Sequence, residues 1–195
     1  MKKRTIWIVV LAAVALVVLW FVKTNNRMIE KQEQTVQAWA QVENVYQRRA
    51  DLIPNLVNTV KGAADFERGT LEAVIEARSK ATQVTVDPAH LTAENLAAFQ
   101  NAQDNLSQSL GRLLVVIERY PELKANENFR DLQAQLEGTE NRITVERRSF
   151  NKVVQEYNVL IRKFPHSIVA GMRRFEPKGY FQAAEGAEVP PVVEF

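Results

Sequence analysis

The sequence predicts an all-α protein, in which an N-terminal transmembrane helix continues into an antiparallel long-helix bundle of coiled-coil character. Three observations carry that prediction. From Ile6 to Val22 every side chain is apolar (IWIVVLAAVALVVLWFV). Neither Gly nor Pro occurs between Met1 and Ile53, so a helix leaving that run meets no coded stop. Beyond it, large apolar residues return every seven positions in three separate stretches, the period at which helices pack side by side.

As a helix the apolar run reaches roughly 25 Å, near the lower end of what crosses a hydrocarbon core. Trp7 and Trp20-Phe21 fall at its two ends, where amphipathic rings favour the interface. A cleaved signal peptide would begin with the same basic cluster. It would not carry so long an apolar segment, nor place its small-x-small triplet, Ala13-Val14-Ala15, inside it. Residues 1–22 are therefore expected to be a retained anchor, with the membrane contact through residues 6–22. Lys2, Lys3 and Arg4 precede the span while the more dispersed Lys23, Arg27 and Lys31 follow it. That bias leans the N-terminus into the cytoplasm and the body outside it.

Residues 23–175 read as the bundle. In the first stretch Trp39, Tyr46, Ile53 and Val60 share one stripe, with Val42 and Leu56 beside them. Pro54 interrupts it by removing a backbone donor and crowding the carbonyl of Ala50, which predicts a bend rather than an end. Gly62 closes or loosens this helix, and a shorter one follows with Leu71, Val74 and Ile75 as its apolar face. Thr82 to Pro88 reads as a connection, with brief strand-like alternation over Gln83 to Val86, and Asp87 or Thr92 is placed to cap the next helix. That helix carries Phe99, Leu106, Leu113 and Tyr120, with Leu96, Leu110 and Ile117 alongside, and Tyr120-Pro121 stops it. The last helix has Phe129, Leu136, Ile143, Phe150, Tyr157 and Phe164 on one heptad position before Phe164-Pro165 ends it. Residues 176–195 are rich in Pro, Gly and Glu, the composition of an extended or disordered acidic tail, although Phe175, Tyr180 and Phe181 could fold it back onto the bundle.

Composition excludes several kinds of chemistry. The absence of cysteine removes disulfides, thiolate metal sites and thiol nucleophiles. His90 and His166 stand in separate loops without a carboxylate at ligand spacing, so no metal or cofactor is expected. The serines lack the glycine context of a nucleophile elbow, and no glycine-rich phosphate loop is present. Past the anchor basic and acidic residues nearly balance, which offers no nucleic-acid footprint. The more informative residues are polar ones that interrupt apolar stripes: Arg49 in the first helix, Gln103 in the third, Thr139 and Glu146 in the last. They read as register devices or as partner contacts. Arg49 and Glu146, of opposite sign, are the candidate ion pair.

Several blocks of the chain resemble the LemA family of bacterial membrane proteins. They are Arg48-Arg49-Ala50-Asp51-Leu52-Ile53-Pro54-Asn55-Leu56-Val57 with Thr59-Val60-Lys61-Gly62, then Glu118-Arg119-Tyr120-Pro121, and Leu136-Glu137-Gly138-Thr139-Glu140-Asn141. Phe150-Asn151, Tyr157-Asn158, Phe164-Pro165, Phe175 and Tyr180-Phe181 follow in order. The resemblance implies a single-pass protein of the bacterial inner (cytoplasmic) membrane, an anchor followed by an antiparallel bundle, and it brings no catalytic activity with it. The expected role is a scaffold or adaptor of the cell envelope, not an enzyme, that presents its bundle to an envelope protein partner, with a homo-oligomer left open. A hydrolase or modifying enzyme would instead need a convergent polar pocket within the bundle.

Overall fold

The computed structural model describes residues 2–62 and 67–182. Helix α1 runs without interruption from Lys2 to Lys61, through the apolar segment, Asn25-Asn26 and Pro54. In its first part the apolar side chains from Ile6 to Leu19 stand exposed, and this helix is long and apolar enough to cross a membrane. From Met28 onward the same helix is striped, with Trp39, Val42, Tyr46, Ile53, Leu56 and Val60 all buried. Proline at 54 leaves the Ala50 carbonyl without its helical donor, and Arg78 Nε of the next helix donates to that oxygen at 2.6 Å.

Helix α2 (Arg68–Gln83) packs along α3 (Ala93–Ile117) through Leu71, Val74, Ala77 and Ala81. Ile75 is 44% exposed, because the contact stripe advances by three and four residues, from Leu71 through Val74 and Ala77 to Ala81, and leaves position 75 on its flank. No strand forms among the described residues. Past Gln83 the chain is extended to Asp87, whose carboxylate accepts from Ala89 N at 2.8 Å over a single 3-10 turn. Thr92 then caps α3, accepting from Asn95 N at 3.1 Å.

A short helix, α4 (Pro121–Ala125), turns the chain, and Asn126 caps the long α5 (Glu127–Arg162), which returns antiparallel to α1. Phe129, Leu136, Ile143, Phe150 and Tyr157 are buried as their spacing requires, whereas Phe164 is 76% exposed because the helix has already ended at Arg162. A further helix that the sequence reading did not resolve, α6 (His166–Arg173), packs Val169 and Ala170 against Met28, Tyr157 and Ile161. It ends at Arg174 in the left-handed conformation (φ 57°), with Phe175 N donating back to Ala170 O at 3.0 Å.

The core is layered along the bundle. Mostly aliphatic side chains, with Phe129 among them, fill the end distal to the apolar run. At mid-height Trp39 sits among Phe99, Phe150 and Phe181 with ring centroids 5.2, 5.7 and 6.0 Å away. Phe181 belongs to that core, so the packed body extends past the 175/176 boundary that composition suggested. Apolar burial against the cage outweighs the polar character of the surrounding tail. The remainder of the tail, residues 183–195, lies outside the described residues.

Candidate functional site

Two buried polar assemblies join the helices. The first is built around Arg49, which faces inward between Val42 and Leu56 and is only 1% exposed. Its guanidinium donates through one Nη to Glu140 Oε1 at 2.5 Å and to Ser107 Oγ at 2.7 Å. Through the other it donates to the Gln103 side-chain and backbone oxygens at 2.7 and 3.2 Å. Gln103 passes the connection on, donating to the Ala81 carbonyl at 3.2 Å. One cation thus ties α1 to α3 and α5 directly and to α2 through an amide. The guanidinium also lies 5.1 Å from the centroid of the Tyr46 ring. Burial pushes the Tyr46 hydroxyl above its ordinary value, partly opposed by the charges of Arg147 and Arg49.

Of the four predicted seam residues, the structure unites Arg49 with Gln103. Thr139 is buried, but its hydroxyl donates to Gln135 O at 2.7 Å within its own helix. Glu146 does not meet Arg49. It is half-buried and approaches Arg142 on its own helix at 3.5 Å. The reason is register. The antiparallel alignment marked by the Lys31–Glu156 pair at 2.7 Å brings Glu140 to the height of Arg49. Glu146 lies six residues, about 9 Å, further toward the apolar segment. A helix near 3.6 residues per turn also drifts relative to a strict heptad, so Val154 rather than Val153 enters the core and position 146 rotates outward.

The second assembly holds residues 176–182, an extended strap lying across α5 and α3. Such a segment has backbone donors and acceptors that must be matched when buried, and no strand lies beside it. Side-chain amides supply the match. Asn158 donates to Lys178 O and accepts from Lys178 N at 2.8 and 2.9 Å, and Asn151 does the same for Phe181 at 2.9 and 2.9 Å. Gln100 of α3 repeats the pattern on Gln182 at 3.2 Å in both directions. The spacing is self-consistent: seven helical residues rise about 10.5 Å, and three extended residues span about 10 Å. Gly179 N donates to Leu91 O at 2.8 Å, and a Cβ at position 179 would lie 2.8 Å from Ala93 backbone atoms, so only glycine fits. These amides were not singled out from sequence. The signal was there, since Asn151 and Asn158 each follow a core aromatic at the same heptad step.

A small cavity of about 230 Å³ opens beside the strap between His90, Tyr157, Arg174 and Lys178. Tyr157 donates to Glu176 O of the strap at 3.0 Å, Lys178 Nζ reaches out of the strap to donate to Ala89 O, and His90 Nδ1 lies 2.7 Å from the Asp87 carboxylate. Burial lowers the Lys178 amine from its ordinary value, and burial followed by the Glu176 charge pushes the Tyr157 hydroxyl up to about 12. A broader, shallow groove of about 820 Å³ along α3 carries one carboxylate, Asp104, among amides and hydroxyls.

A long helix with a bare apolar end, joined to a bundle whose buried polar groups lock helices and a strap together, defines a membrane-associated helical-bundle protein. The sequence profile of the LemA family matches residues 38–195, and the chain belongs to that family. It is similar to magnetosome protein MamQ 2 of Paramagnetospirillum magneticum, 24% identical over 93% of this chain and 72% of that protein. It is also similar to MamQ of Magnetospirillum gryphiswaldense, 24% identical over 85% of this chain and 67% of that one. Protein LemA of Metamycoplasma hominis is 22% identical over 85% and 72%. The blocks that carry the resemblance meet in space. The Arg48–Val57 block reaches the Leu136–Asn141 block through Arg49 and Glu140, while Asn151 grips Phe181 and Asn158 donates to the Tyr180 hydroxyl.

Proposed function

We propose that the protein is a single-pass, membrane-anchored helical scaffold that presents its bundle to another membrane-bound protein. The observation that carries this reading is where the polar chemistry goes. Arg49 Nε apart, the buried polar groups of the node and the clamp among the described residues are directed at fixing α1, α3, α5 and the strap rather than at solvent. The groove along α3, lined by Gln100, Asn101, Asp104 and Gln108, offers amides and one carboxylate to a polar protein contact. Ile6–Val22 spans the bilayer, and Lys2, Lys3 and Arg4 hold the N-terminus in the cytoplasm, which puts the bundle outside it. A catalytic reading finds its best foothold in the His90–Lys178 cavity.

The test uses the absence of cysteine. Single cysteines at Asn101 and Gln108, carrying a photoreactive crosslinker in native membranes, should yield one discrete adduct with a membrane protein. A membrane-impermeant maleimide should label both positions in intact spheroplasts. Adducts absent from both positions, together with an activity of the purified chain abolished by His90→Ala, would replace the scaffold with an enzyme. Protection from the maleimide would reverse the topology.

A further inference from the structure

The end of the bundle nearest the apolar segment carries a charge pattern that the nearly neutral composition of the body conceals. Among the described residues, three segments lie below the Lys31–Glu156 pair: α1, the end of α5, and α6. The loop that begins α3 reaches no lower than the cavity it shares with Gln32 and Tyr157. Within these segments no Asp or Glu occurs from Met1 to Ile29 or from Tyr157 to Phe175. Lys23, Arg27, Arg162, Lys163, Arg173 and Arg174 are all exposed there.

The same end carries unpartnered apolar side chains. Phe164 in the α5–α6 corner is 76% exposed, and Ile168 and Met172, one turn apart on the α6 face opposite Val169 and Ala170, are 54% and 70% exposed. Their depth is fixed by contacts with α1. The His166 ring lies 6.3 Å from Trp20, and Arg173 Nε donates to Asn25 Oδ1 at 3.1 Å. Trp20 and Asn25 bracket Val22, where the apolar run ends, so α6 occupies the level of the headgroup layer, roughly 5–8 Å thick on each side of the hydrocarbon.

We infer that the α5–α6 corner and the outer face of α6 are a second membrane contact, which docks on the leaflet from which α1 emerges. Phe164, Ile168 and Met172 enter the headgroup–acyl boundary, and the basic side chains around them engage anionic lipid headgroups. Apolar side chains flanked by arginine and lysine, with no acid among them, are the pattern of an interfacial contact. Continuity with the span names the occupant as the same bilayer. The inference rests on the reading that Ile6–Val22 spans it.

The full chain, labelled with an environment-sensitive fluorophore at Phe164→Cys or Ile168→Cys, is reconstituted in vesicles of phosphatidylcholine and phosphatidylglycerol in about equal parts. Leu16→Cys marks the span and Val115→Cys the distal body. Nitroxide-bearing lipids should quench positions 164 and 168 roughly threefold more than position 115. That excess should fall away in phosphatidylcholine alone, and in the variant Arg162→Gln/Lys163→Gln/Arg174→Asn, whose changes are all at exposed positions. Quenching at 16 with none at 164 or 168 overturns this inference and leaves the span standing. Loss of quenching at 16 as well overturns both. Quenching at 164 that ignores lipid charge and the three substitutions also defeats the proposal, as does label self-quenching that tracks protein density, which would assign the corner to a second copy of the chain.

Discussion

The Arg49 node and the strap clamp both bury polar groups among the helices, yet they specify different things. The node is ionic and reads side chains: a guanidinium needs a carboxylate and several acceptors at one height, and only one register of α1 against α5 supplies them. The clamp is neutral and reads backbone: Asn151, Asn158 and Gln100 engage N–H and C=O groups that any non-proline residue would offer. Charge therefore sets which helices meet and where. Amides set where a passing chain lies while leaving its sequence largely free, apart from Gly179, Phe181 and Tyr180, whose hydroxyl accepts from Asn158 at 3.0 Å. The difference also separates their failures, since losing the node leaves buried acceptors unmatched in the core, whereas losing a clamp releases a segment that water can solvate.

Substitutions can break that contrast, beginning with the node. Arg49→Met should destabilise the detergent-solubilised chain by about 2–3 kcal/mol in chemical unfolding, approaching Phe150→Ala in the aromatic cage at about 3 kcal/mol or more. Combined with Glu140→Leu it should couple by more than about 1 kcal/mol, while Glu146→Leu should simply add. Additivity with Glu140 would mean that the bond at 2.5 Å contributes nothing to register.

Asn158→Ala should cost about 2 kcal/mol and act locally, with fast amide exchange at Lys178 and Phe181 before the helices open. Equal acceleration through α1 would erase the distinction between node and clamp. Arg78→Ala, which frees the Ala50 carbonyl opposite Pro54, should cost about 1–2 kcal/mol.

Alkali sharpens the comparison further, because two titrating groups, Lys178 in the strap and Tyr157 beneath it, are shifted by burial. The Lys178 amine is lowered, so charging it opposes docking below its folded value, and that penalty disappears as pH climbs toward the ordinary lysine range. The Tyr157 hydroxyl is raised to about 12, so its contribution is complete below the ordinary tyrosine value and is lost as pH rises through about 12. Near-ultraviolet dichroism of the Trp39–Phe181 stack should strengthen slightly up to roughly pH 10 and then collapse. In Tyr157→Phe the collapse should move to higher pH. The smallest effect is expected from Arg174→Gly, which relieves a left-handed φ and should stabilise by up to about 1 kcal/mol.

Much of the fold was legible because long helices announce themselves by repetition. The stripes on α1, α3 and α5 were readable residue by residue, and Arg49 and Gln103 stood out as polar interruptions that the structure joins. What repetition could not convey was relative height. Glu140 flanks the seam rather than occupying it, and its role depends on an offset between two helices ninety residues apart in sequence. Short elements escaped for another reason: α4 and α6 span too few turns to display a period, and Ile75 and Phe164 were placed inside by patterns that end or drift before reaching them. The clamp was hidden because an asparagine that grips backbone has no partner residue for a sequence pattern to reveal.

The unbroken sixty residues of α1 have a mechanical meaning. With Ile6–Val22 in a bilayer, the helix is a rod about 90 Å long, pivoted near one end, with an arm of roughly 58 Å beyond the pivot. Transmembrane helices tilt by about 20° on average, and each roughly 10° of tilt carries the far tip sideways by roughly 10 Å. With the span so placed, a small change in tilt is converted, without any change inside the bundle, into a lateral displacement large enough to decide whether the distal end reaches a neighbour.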